Sequence, residues 1–317
     1  MSNQVGLMGG LGNQLFQLAA ALEISEKTRQ EVFLNPNVGH CRMNKNGLPE
    51  IASFNIPDKI MLVKKEPYGW WLGKLVGHNR KIRINPTKFE KLKLYKVIIS
   101  AITRVHVQLI LGRGGAIDVI EEIGFKEVET SNLNTLFIGY FQTYRFTNTT
   151  QKELTNLTTR EYESVQKTYK KLAGISNPLV IHIRLGDYLV ESNFGVPDPE
   201  YYEAAIEKHM SIFPYDSFWL FSDDFDRAIS FIPQRYKHLI RRVSECQDSS
   251  AATLQLMRLG KGYIIGNSTF SWWGAKLSHT QTPLVVAPKP WFKAMPEPKD
   301  IIPLEWIRVE AWKDQTA

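Results

Sequence analysis

Between residues 161 and 287, apolar runs of four to six residues alternate with segments whose apolar residues recur at helical spacing. A run that is apolar at nearly every position is buried on both faces. Strands separated by helices pair in parallel, with the helices covering both sides of the sheet. The spacing predicts strands at 178–183, 218–221, 261–265 and 284–287, and helices at 161–172, 199–212, 225–231, 249–258 and 271–277. The N-terminal part opens the same way: a strand at 4–8, the loop Gly9-Gly10-Leu11-Gly12, a helix at 13–27 and a strand at 31–34. A helix at 97–111 and a strand at 135–141 follow, while 38–93 carries no readable pattern. The expected fold is α/β, with the tail 306–312 packing back on the body. The polar stretch 147–159 marks the boundary of two domains, 1–150 and 151–317.

Bulk composition narrows the class. Of the 317 residues, 43% are hydrophobic and 22% charged, which suits a packed globular chain. Cys41 and Cys246 are the two cysteines, too few for a disulfide framework and in keeping with a reducing compartment. The start Met1-Ser2-Asn3-Gln4 lacks a basic segment followed by an apolar one, so it reads as neither signal peptide nor anchor. These features point to the cytoplasm. The net charge of +7 is uneven: from Lys59 to Arg113 thirteen Lys and Arg face Glu66 and Glu90, giving +11 and leaving −4 elsewhere. Such a segment meets nucleic acid or an anionic membrane, or is simply a solvated face.

Four strings stand where predicted strands end, the place where open parallel sheets collect ligands. The first is Gly9-Gly10-Leu11-Gly12-Asn13-Gln14, a glycine loop that lets backbone approach a ligand and turns N–H groups toward negative charge. Leu15 holds the third glycine position of a dinucleotide fingerprint, and no acid ends the second strand, so a nicotinamide-dependent oxidoreductase is the weaker alternative. The second is His182-Ile183-Arg184-Leu185-Gly186-Asp187-Tyr188. Arg184 leaves a buried strand with a donor fork suited to a diphosphate, His182 lies on the same side, and Asp187 is placed to pair with the arginine or to act as base. The third is Phe221-Ser222-Asp223-Asp224-Phe225-Asp226, whose carboxylates suit a guanine edge or a helix cap. Asp224-Phe225-Asp226 has the look of a metal-binding pair, but Asp226 falls inside a helix and no further ligands complete a site, so no metal is expected. The fourth is Asn267-Ser268-Thr269-Phe270-Ser271-Trp272-Trp273-Gly274, offering hydroxyls and helix N–H groups to phosphate oxygens.

Together with Gly139-Tyr140-Phe141-Gln142 and Pro288-Lys289-Pro290-Trp291-Phe292, and in this order, these strings resemble the bacterial α-1,2-fucosyltransferases and the wider α-1,2/α-1,6/protein-O-fucosyltransferase superfamily. The likeness spans Val5 to about Trp306. It departs at Leu185, where the family's motif usually has a second arginine. The resemblance implies a GT-B fold, two Rossmann-like domains facing a cleft, with residues 151–317 binding the donor and 1–150 the acceptor. It implies L-fucose transfer from GDP-fucose to a galactose 2-hydroxyl of a glycan, O-antigen or other surface polysaccharide, with inversion and without metal or cofactor. Another GDP-deoxysugar is the alternative donor. On this reading Arg184 and Asp187 are catalytic. Gly10, Gly12, Asn13, Gln14, His182, Arg184, Asp223, Asp224, Asn267, Ser268 and Ser271 bind GDP-fucose. The acceptor is a galactose-terminated or lipid-linked oligosaccharide. No nucleic acid partner is expected, and the basic segment is assigned to peripheral contact with anionic lipid on the membrane's inner face.

Overall fold

The computed structural model describes residues 2–64, 101–102, 105, 116–120, 123–129, 134–159, 161–172 and 177–313. They fall into two compact units, Met1–Leu157 and Thr158–Ala317. Nearly all of the basic segment 59–113 and of the helix expected at 97–111 lies outside the described residues; of the segment's bases, Lys59 and Lys64 are described.

The first unit is a five-stranded parallel sheet: β1 (Asn3–Gly6), β2 (Val32–Asn35), β3 (Ile60–Leu62), β4 (Ala116–Val119) and β5 (Thr135–Ile138), in the order β3-β2-β1-β5-β4. Helix α1 (Leu11–Thr28) buries Leu15, Phe16, Leu18, Ala19, Leu22 and Ile24, and ends at Arg29 in the left-handed region, φ 54°. Two short helices, α2 (Arg145–Thr149) and α3 (Gln151–Thr155), occupy most of the stretch whose polarity read as a linker. Lys59 ties α1 to α3 by bonding Glu26 at 3.1 Å and Glu153 at 2.9 Å.

The second unit has six parallel strands: β6 (Pro178–Ile183), β7 (Ser217–Ser222), β8 (Ile240–Arg242), β9 (Gly262–Ile264), β10 (Leu284–Lys289) and β11 (Ile307–Glu310). Their order is β11-β10-β9-β6-β7-β8. Counted within the unit this is the 3-2-1-4-5-6 pattern of a Rossmann sheet, with its reversal between β6 and β9. Every residue of β6 is buried, as its nearly continuous apolar run requires. Helices α4 (Tyr162–Leu172), α5 (Pro199–Met210), α6 (Phe225–Ala228), α7 (Ser250–Met257) and α8 (Thr269–Lys276) pack around the sheet. A core of Leu179, Ile181, Ile183, Tyr202, Ile206, Phe218 and Leu220 fills the space under α5. The tail does pack back: β11 closes the edge beside β10. Both units are parallel α/β structures, the class expected from the sequence.

Candidate active site

In the second unit the chain leaves β6 and β9 in opposite directions, and the gap at their carboxyl ends is where such a sheet takes a ligand. Arg184 is the first residue beyond β6. Its Nε and Nη2 both lie 2.9 Å from Asp187 Oδ1, and Nε lies 3.3 Å from Asp223 Oδ2. Asp223, one step beyond β7, also accepts the N–H of Leu185 at 2.9 Å through Oδ1 and that of Gly186 at 3.0 Å through Oδ2. A Cβ on Gly186 would stand 2.6 Å from that Oδ2, so the carboxylate is what makes glycine necessary there.

His182, only 6% exposed, places its ring centroid 6.0 Å from that of Phe270. Its Nδ1 is buried without a partner. Burial, reinforced by the Arg184 charge, drives its pKa down to about 3, so the imidazole is neutral at ordinary pH. Tyr188 donates to the Asn267 carbonyl at 3.3 Å, and burial raises its hydroxyl to about 12. Its ring packs 5.4 Å from Phe194, which packs 5.4 Å from Phe292.

Other expected residues are committed to the frame. Asn267 is buried and its amide donates to the carbonyls of Phe194 at 2.8 Å and Gly195 at 3.0 Å, tying the loop after β6 to the one after β9. Ser268 caps α8, accepting from the Phe270 N–H at 3.3 Å, and the fully buried Ser271 hydroxyl donates to the Ser268 carbonyl. Asp224 caps α6 by accepting from the Arg227 N–H at 3.1 Å. Asp226, of the Asp-x-Asp string, pairs with Arg242 at 2.9 Å. Among the described residues no group of three or more His, Cys, Asp or Glu is placed to hold a metal ion.

In the first unit the strand order reverses between β1 and β5, and the glycine loop follows β1. Gly9 has φ +71°, and a Cβ there would collide with Asn13 Nδ2. The N-terminus of α1 is already met from within the chain: the buried Glu50 carboxylate accepts the Leu11 N–H at 2.6 Å. Gln14 is fully buried, donating to the carbonyls of Gly9 and Arg42 at 3.0 Å and accepting from the Ile51 N–H at 2.9 Å. Asn13 stays partly exposed and accepts from Gln142 Nε2 at 2.9 Å across the reversal. A Cβ on Gly10 would meet Glu50 Oε2 at 3.6 Å and the Arg42 guanidinium at 3.7 Å. Glu50 and Arg42 come from the stretch that carried no readable pattern, and nothing in their local sequence signals this placement.

Residues 116–310 match the profile of glycosyl transferase family 11. The chain is 25% identical over 319 aligned residues, 96% of its length and 97% of the relative's, to an α-1,2-colitosyltransferase of Escherichia coli. It is 37% identical over 129 residues, 39% of this chain and 42% of the other, to the O-antigen biosynthesis glycosyltransferase WbnK of the same species. The solved structure of the fucosyltransferase NodZ from Bradyrhizobium superposes with a TM-score of 0.50 at 14% identity, covering 88% of this chain and 93% of that one, a likeness of fold. With the profile match covering well over half of the chain, including both β6 and β7 with the Arg184–Asp223 contact beyond them, the protein is a member of glycosyl transferase family 11.

Proposed function

We propose that the protein transfers L-fucose, or a closely related deoxysugar, from its GDP derivative to a galactose 2-hydroxyl of a surface glycan, inverting the anomeric centre without a metal. The observation that carries the reading is Arg184, a guanidinium at the sheet reversal beside Asp223, whose carboxylate is itself fixed by the N–H groups of Leu185 and Gly186. The acceptor hydroxyl oxygen bonds to the anomeric carbon as the bond to the β-phosphate oxygen breaks; GDP leaves with that electron pair, and the hydroxyl proton passes to water. Charge grows on the β-phosphate, where a fixed cation stabilises the transition state more than the ground state. His182 Nδ1, neutral and unpartnered, gains a hydrogen-bond partner when the nucleotide arrives. The first unit is assigned to the acceptor, and its glycine loop, with Gly10, Gly12 and Asn13, to the donor sugar.

Donor identity has two sources of support that differ in the sugar. The motif order resembles fucosyltransferases, whereas the relative matched over nearly the whole chain is a colitosyltransferase. Colitose is fucose without its 3-hydroxyl, and Leu185 stands where a second arginine is usual, its side chain 1% exposed in the core. A direct comparison is GDP release from GDP-fucose and GDP-colitose with galactose-terminated acceptors, with chelator present and no added metal. Turnover with either donor is expected, and Arg184→Ala should lower kcat by a few hundred-fold, about 3–4 kcal/mol of transition-state stabilisation. Full turnover by Arg184→Ala, or silence in chelator, rejects the reading.

A further inference from the structure

We propose that Asp223 is a positioning residue for Arg184, and that Asp187 is the exchangeable counter-ion that the donor's diphosphate displaces. The inference builds on the reading that Arg184 meets the departing diphosphate.

The two acids around Arg184 are held very differently. Asp223 has a side-chain exposure of 27% and spends two acceptor positions on the N–H groups of Leu185 and Gly186, with Arg184 Nε in ion-pair contact at 3.3 Å. A carboxylate has about four such positions. Two of them are taken by the backbone of the turn, one on each oxygen, so the carboxylate is fixed to that turn rather than free to follow a ligand. Strands β6 and β7 are paired up to Ile183 and Ser222, so Asp223 grips the first turn beyond a ladder that is already fixed. The buried side chain of Leu185 anchors the middle of that turn, and Gly186 leaves room for the carboxylate. This construction sets the direction in which Arg184 leaves the strand.

Asp187 lies in an exposed single turn, its side chain 62% exposed, and reaches Arg184 through Oδ1 alone. Ion pairs in contact with water contribute little. One guanidinium with two carboxylates has a net charge of −1, which opposes a diphosphate. Of the two acids, the exposed one is free to swing away, while withdrawing Asp223 would orphan two N–H groups. Nucleotide binding therefore exchanges Asp187 for phosphate oxygen and leaves Asp223 in place.

The test is GDP and GMP binding by calorimetry to the full chain, with steady-state kinetics, for Asp223→Asn, Gly186→Ala, Asp187→Asn and Arg184→Ala. Arg184→Ala should weaken GDP and spare GMP; if it does not, the assignment of Arg184 fails, and this inference with it. Given that result, Asp223→Asn should weaken GDP by about tenfold, the lower end for a charge-assisted hydrogen bond acting through the arginine. GMP affinity should stay within about twofold, kcat should fall more than KM rises, and the change should nearly vanish in the Arg184→Ala background. Gly186→Ala, whose Cβ expels the carboxylate, should repeat this signature and decides the matter if Asp223→Asn does not fold. Asp187→Asn should leave GDP affinity equal or tighter. Equal loss of GMP and GDP in Asp223→Asn or Gly186→Ala would make Asp223 a base contact and overturn the proposal. So would a tenfold loss of GDP affinity in Asp187→Asn.

Discussion

Gly262 shows how much a single missing methyl group can decide. It opens β9 in the middle of the six-stranded sheet, where a Cβ would collide with the Tyr215 hydroxyl and stand 2.9 Å from His209 Cε1. That hydroxyl bonds His209 Nδ1 at 3.1 Å, and His209 Nε2 lies 3.1 Å from the Tyr263 carbonyl, so the ring has no room to retreat. Gly262→Ala should lower unfolding free energy by about 2 kcal/mol, as overpacking of a tight core does, with the denaturation midpoint as the measure. The same logic at Gly186 was invisible in sequence, because the atom that needs the space belongs to Asp223. Arg184, His182 and Asp187 were legible because they lie within six residues at the end of one strand. Glu50 and Arg42 were not, because they reach the glycine loop from more than thirty positions away.

Helix α1 is the element whose sequence misleads most instructively. Its glycine N-cap has no side chain to satisfy the first N–H groups, which reads as an invitation to an external anion. The chain supplies the anion itself through Glu50. Glu50→Ala should destabilise the protein by about 1–2 kcal/mol, and Glu50→Gln, which keeps an acceptor but loses the charge on the helix dipole, by less than about 1 kcal/mol. Melting temperatures of the two variants check the order. Strand recognition failed in one consistent way. The strands without a sequence signal, β3, β4, β8 and β11, are the four sheet edges. Their residues are mostly half-exposed or exposed; β4, β8 and β11 carry charged residues that break any apolar run, and β3 is apolar but only three residues long. The helix expected at 225–231 begins where anticipated and continues past Ala228 as a single 3-10 turn through Phe231.

For the molecule as a whole, acid is the condition that should tell most. His182 and His209 are buried neutral, with pKa values lowered to about 3 and about 4, in both cases mainly by burial. The unfolded chain takes up protons near its ordinary value of about 6.5, and the folded chain does not. Their stabilisation is therefore complete above that value and declines as pH falls toward the folded values, by about 1.4 kcal/mol per pH unit for each group. Denaturant titrations should show roughly 4 kcal/mol less stability at pH 5 than at pH 7, and His209→Gln should remove about half of the difference. Both histidines lie in the unit Thr158–Ala317. No helix among the described residues is long and apolar enough to cross a membrane. Sequence alone determined the α/β class, the central strands and the string around Arg184, because burial on both faces and local spacing are written in neighbouring residues. Only tertiary structure decided which carboxylate grips that arginine, which one faces solvent and which one caps the glycine loop. Those contacts join residues 37 to 39 positions apart, and a parallel sheet brings such residues together by strand order, which no local pattern records.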